Sequence, residues 1–189
     1  HFMLISGNNL EYQNNMDLAL LNLLLIVPLV EYFSYKLIIY WYDRAKRMTL
    51  AEADGLSWQL QKKYWSLLGR ILLYFGLLMS MTIVLLSILH RSYNDNIVTI
   101  VACFGYLLFA IGLFNTVILL SLNRLDDVLG ILSIAMVVDF IIGYLLSSLF
   151  GVYLAVIGLI VGAIIFAITS TQQTLKAIDR AEYCYFYSG

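Results

Sequence analysis

Three ionisable side chains sit inside apolar runs of this chain: Glu31 and Lys36 within residues 18–42, and Asp139 within residues 128–149. A charge near the centre of a bilayer costs on the order of 2.5–3.5 kcal/mol on insertion scales. Residues of this type at this depth therefore face a helix, a partner or water, not lipid. Two kinds of chemistry suit them. A carboxyl in a low-dielectric site favours its neutral form, which fits proton or cation coupling along a substrate path. The same neutral acid can instead donate one structural hydrogen bond between helices, and Glu31 or Lys36 can be half of a buried structural ion pair. Glu31 and Lys36 are five positions apart, about 140° around a helix, so they do not face each other. Lys36 is close enough to the end of its run to snorkel. Pro28, the only proline, precedes Glu31 by three residues; it frees a carbonyl one turn back and favours a kink.

No covalent chemistry is legible. His1 and His90 are distant in sequence and lie outside the apolar runs, so no metal site is expected. A Gly-rich phosphate loop, an H-E-x-x-H pair and a serine elbow are all missing from the sequence. An enzyme and a bound cofactor are accordingly not expected.

The elements that must position the three residues follow from composition. Of 189 residues, 62% are hydrophobic and 12% charged, against about 25% charged in a soluble domain; mean hydropathy is +0.87. The fold class is all-α: a polytopic membrane protein with five transmembrane helices and an interfacial amphipathic helix. A net charge of −1 points to no nucleic-acid partner. Residues 1–17 are polar and Asn-rich and read as an external segment. Spans are expected at about 18–42, 67–89, 97–122, 128–149 and 152–170, each near the ~20 residues that cross ~30 Å of hydrocarbon.

The connector 43–66 contains a capping box, Thr49-Leu50-Ala51-Glu52. Beyond it, apolar residues at helical spacing, flanked by Lys62 and Lys63, predict the amphipathic helix running into the second span. Trp58, Tyr64 and Trp65 in it suit a headgroup belt. Turns are expected at 90–96 and 123–127 and a hairpin at 147–151. Asn115, Thr116 and Ser121 in the third span can bond between helices, and Gly158 and Gly162 form a GxxxG face open to close approach by another helix. The fifth span fades after Ile168 into Thr-Ser-Thr-Gln-Gln, and 171–189 reads as a tail.

Charge segregation gives an orientation. Arg44, Lys46, Arg47, Lys62, Lys63, Arg70, Arg124, Lys176 and Arg180 fall on one side of the five spans; Arg91 falls on the other. By the positive-inside rule the N-terminus is out and the C-terminus in. Cys103 then lies in the membrane and Cys184 inside, so no disulfide is expected. The chain begins His1-Phe2-Met3, as a piece of a longer protein or one with added residues would, and no basic segment ahead of the first span marks a signal peptide.

Several short motifs, in order, resemble the Pel exopolysaccharide transporter family (PelG). They are Val27-Pro28-Leu29-Val30-Glu31-Tyr32-Phe33-Ser34-Tyr35-Lys36, then Tyr42-Asp43-Arg44, then Thr49-Leu50-Ala51-Glu52. The likeness continues through the Asn123-Arg124 turn and the polar residue midway along the fourth span to Ala181-Glu182-Tyr183-Cys184-Tyr185-Phe186. Three positions depart from the family pattern. Leu37-Ile38-Ile39 replaces a stretch with a Glu, Glu31 stands at a small or apolar position, and Asp139 stands where Asn is usual. A role for the two acids is therefore not carried by the resemblance. What the resemblance implies is polysaccharide export across a bacterial inner membrane by a flippase-type protein of two six-helix bundles, of which this chain supplies most of the C-terminal one. The partners implied are membrane lipid, the missing N-terminal half or a second membrane chain (self-association through Gly158 and Gly162 being one route), and a cytoplasmic polysaccharide synthase complex. The competing expectation is a non-transporting subunit that anchors such a synthase through its basic connector and aromatic tail.

Overall fold

The computed structural model describes residues 2–47, 55–88, 93–151 and 154–180. They form five helices: α1 (Phe2–Arg47), α2 (Leu56–Ile88), α3 (Tyr93–Ser121), α4 (Leu125–Phe150) and α5 (Ala155–Asp179). Each contains a stretch long and apolar enough to cross a membrane: Met16–Arg44, Leu56–Ile88, Ile97–Ser121, Leu125–Leu149 and Ala155–Asp179. The chain is an all-helical, multi-pass membrane protein. A bilayer core offers backbone groups no water, so only segments that satisfy their own hydrogen bonds can span it as single elements.

The helices are longer than the sequence alone suggests, and two segments expected to be non-helical are absorbed into them. The Asn-rich N-terminal segment is helical from Phe2, continuous with the span; extending a formed helix is far cheaper than nucleating one. Residues 56–66 are the opening turns of α2, helical and continuous with the second span as expected. The capping box at 49–52 lies outside the described residues. Thr169-Ser170-Thr171-Gln172-Gln173 does not end the fifth span. It stays helical because Ser170 and Thr174, both 0% exposed, turn inward onto other polar groups. The 90–96 turn is shortened by the start of α3 at Tyr93. The 123–127 turn contracts to a Schellman motif: Arg124 N–H donates to Leu119 O at 3.1 Å and Asn123 N–H to Leu120 O at 3.0 Å, with Asn123 left-handed at φ 58°. Asparagine tolerates that conformation. Asp126 and Asp127 then open α4, where acids favour the helix dipole, and Asp127 pairs with Arg124 at 3.6 Å.

α3 is the centre of the bundle. It packs most extensively on α5 and α1, and α4 packs on α5. Contacts fix the directions. Ser34 approaches Phe114 O, and Asn22 approaches Cys103, so α1 and α3 run parallel. Asn115 meets Thr171, so α3 and α5 do too. α2 runs against them, placing Thr82 by Asn22 and Tyr64 by Asn115. α4 likewise opposes α5, placing Gly143 by Gly158 and Asp139 by Gly162. The result is a parallel row α1–α3–α5 with α2 and α4 as antiparallel flanks. Arg44, Lys46, Lys62, Lys63, Arg70, Arg124, Lys176 and Arg180 therefore collect at one end.

Candidate functional site

Helix α1 presents a continuous outward stripe. Asp17, Leu21, Leu24, Pro28, Glu31, Tyr35 and Tyr42 recur at helical spacing and are exposed. Pro28 lies within the unbroken helix, exposed on this stripe. Glu31 is near the middle of the Met16–Arg44 span, roughly 20 Å from either end at 1.5 Å per residue. The opposite face of α1 is the core face, with Ile26, Val30, Phe33 and Leu37 at most 4% exposed.

Lys36 does not reach for the basic end. Its Nζ lies 4.6 Å from the centroid of the Tyr32 ring, one turn back toward the membrane centre. Helical Cα–Cβ bonds tilt toward the N-terminus, which for this helix points away from the basic end. The ring's negative face receives the cation instead.

Asp139 is half-buried at the α4–α5 seam. Its Cβ stands so close to Gly162 that a Cβ there would lie 2.7 Å away, and Gly158 is equally tight against Gly143, with 2.6 Å to its Cα and N. The GxxxG face of α5 is thus filled by α4 of the same chain and is not a surface for self-association. A cavity of about 60 Å³ beside Asp139 is walled by Phe109, Leu132, Leu159 and Phe166, all apolar. Glu31 and Asp139 do not share a cavity, since α3 and α5 stand between α1 and α4.

Two buried polar clusters knit the bundle. Toward the basic end, Tyr64 donates to Asn115 Oδ1 at 2.8 Å, and Asn115 Nδ2 donates to Thr171 Oγ1 at 2.9 Å and to its own helix at Ile111 O at 3.0 Å. Toward the other end, Asn22 Nδ2 donates to Thr82 Oγ1 at 2.9 Å and approaches Cys103 Sγ at 3.2 Å, while Thr82 donates to Leu78 O at 3.0 Å. Of the three polar residues expected to bond between helices, Asn115 does so. Thr116 and Ser121 donate back to Gly112 O and Ile118 O of their own helix. Tyr64, expected at the headgroup belt, is 0% exposed, whereas Trp58 and Trp65 are 64% and 51% exposed. Asn22 was missed by sequence reasoning, although a lone Asn in Leu-Ala-Leu-Leu-Asn-Leu-Leu-Leu is itself a signal for an interhelical hydrogen bond. Cys103 is buried, and Cys184, His1, His90 and the 181–186 motif lie outside the described residues.

Among the described residues no three His, Cys, Asp or Glu side chains converge on a metal-sized site. Comparison of the chain with protein-family models, curated proteins and solved structures gives no match.

Proposed function

We propose that this bundle is one portion of a flippase-type exporter of an extracellular polysaccharide, placed in a bacterial inner membrane with its N-terminus out and basic end in. The observation that supports the reading is the exposure of Glu31 in the middle of the α1 span. A carboxyl at that depth is too short to snorkel, and lipid exposure would cost several kcal/mol. The stripe around it therefore faces water or protein. Tyr32, Tyr35 and Lys36 beside it give an aromatic and polar surface of the kind a sugar chain can slide along. A second bundle, the missing N-terminal half or another membrane chain, closes the path on the far side.

Cysteines at positions 31 and 35 and, for contrast, at 137 and 140, in a background without Cys103 and Cys184, test this reading in membranes. Reaction of 31 and 35 with a membrane-impermeant thiol reagent, with 137 and 140 silent, is expected. Silence at 31 and 35 removes the aqueous path. Cysteines at 63 and 94 test the orientation in intact cells: labelling at 94 with protection at 63 is expected, and the reverse pattern inverts the topology.

The anchoring subunit is the second reading. It is favoured by the two buried clusters, which consume the polar side chains of the bundle interior in static hydrogen bonds. In that case positions 31 and 35 stay unreactive but cross-link to another membrane segment.

A further inference from the structure

The basic end of the bundle holds a groove that the two acids do not touch. The last turns of α1 and the first turns of α2 border an open groove of about 430 Å³, lined by Tyr40, Trp58, Gln59, Lys62, Lys63 and Ser66. Lys62 and Lys63 are adjacent in sequence, yet both ammoniums are held at this groove by rings. Lys62 Nζ lies 5.3 Å from the Trp58 centroid and Lys63 Nζ 5.4 Å from that of Tyr40. A ring attracts a cation through its quadrupole but brings no net charge, and among the described residues neither lysine has an acidic partner. The one ion pair among the described residues, Arg124–Asp127, lies elsewhere.

Depth selects the ligand. Residues 67–88 of α2 make an apolar run of about 33 Å, close to the ~30 Å hydrocarbon thickness. Lys62 and Lys63 then stand about one turn beyond it, at headgroup level. Arg70, inside the run's first turn, leans back toward that level because helical side chains tilt N-terminally. Exposed Trp58 and Trp65 mark the same interface. Ser66 and Leu73 continue the face of Lys62 down α2, and Leu73 is 62% exposed, leaving an apolar track below the groove for an acyl chain.

We propose that this groove binds the phosphate of an anionic phospholipid from the leaflet at the basic end. Lys62 and Lys63 donate to the phosphate oxygens. Phosphatidylglycerol, an anionic phospholipid, is the probe. The full chain is reconstituted in phosphatidylcholine vesicles carrying phosphatidylglycerol as the minority lipid, extracted gently, and its retained lipids are counted by native mass spectrometry. Wild type is expected to retain phosphatidylglycerol selectively. Lys62→Gln or Lys63→Gln lowers the preference roughly fivefold each, and the double variant roughly 25-fold. Arg44→Gln/Lys46→Gln, an equal loss of charge at the same end but outside the groove, leaves the preference within about twofold. An unchanged preference in Lys62→Gln/Lys63→Gln overturns the proposal, as does an equal loss in Arg44→Gln/Lys46→Gln, which would mean surface charge alone. Displacement of the lipid by millimolar inorganic phosphate also overturns it, because the site would then serve a soluble anion. Helix content by circular dichroism confirms that the glutamine variants remain folded, since both lysines are on the groove surface and not in the core.

Discussion

The bundle is held together in two different ways on the two sides of α3 and α5. On one side, α1, α2 and α3 meet through side chains that specify one another by hydrogen bonds: Asn22 with Thr82, and Tyr64 with Asn115. On the other, α4 meets α5 through the absence of side chains, with Gly143, Gly158 and Gly162 letting backbones nearly touch. In lipid, apolar surface gains nothing by leaving its surroundings, so helices associate by close packing or by polar pairing. This protein uses each in a separate seam. The polar seams tolerate small displacements, since side-chain rotamers can follow a moving partner. The glycine seam tolerates none, since backbone has nowhere to go.

The contrast is sharpest at Gly158. Gly158→Ala places a Cβ 2.6 Å from Gly143 Cα and N and 2.9 Å from Asp139 O, all three on backbone that only a shift of α4 can relieve. A loss of about 3 kcal/mol is expected, read as the shift in the unfolding midpoint when denaturing detergent is titrated into mixed micelles. A loss under ~1 kcal/mol would put the seam on the same soft footing as the others.

Asn115→Ala comes next. It leaves Tyr64 and Thr171 without their shared partner inside the bundle, and about 2 kcal/mol is expected to be lost by the same titration. Pairing Asn115→Leu with Tyr64→Phe should cost less than the two single changes summed, because removing both ends leaves no orphaned group. Strict additivity would show that the two residues do not act as a pair.

Asn22→Ala should cost about 1 kcal/mol, since Thr82 keeps its bond to Leu78 O. The smallest effects belong to Gly105 and Gly130. Gly105→Ala meets the Leu159 side chain at 3.2 Å and that of Ile160 at 3.5 Å, and Gly130→Ala meets nothing within 4 Å. Gly105→Ala should fall within about 1 kcal/mol of wild type, and Gly130→Ala should be neutral or stabilising by a few tenths of a kcal/mol through helix propensity. A destabilisation at Gly130 matching that at Gly158 would remove the distinction between seam and surface glycine.

The number of helices, their approximate spans and their segregation of basic residues were legible in the sequence. Hydropathy separates water from lipid, and charges mark the ends. Glu31, Lys36 and Asp139 were equally legible as anomalies, because any charge in an apolar run is one. Which neighbour each would find was not. Hydropathy cannot tell an outward-facing Leu129 from a core-facing Leu37, since lipid and protein core are both apolar. The tertiary structure alone decided that α1, α3 and α5 form a parallel row of non-consecutive helices. It also decided that Glu31 turns outward while Asp139 lies in a glycine seam, and that Thr-Ser-Thr-Gln-Gln is helix and not tail. The physical reason is common to all three. A polar residue in a membrane helix is stabilised by a partner on another helix, and its position in the sequence carries no information about where that partner stands.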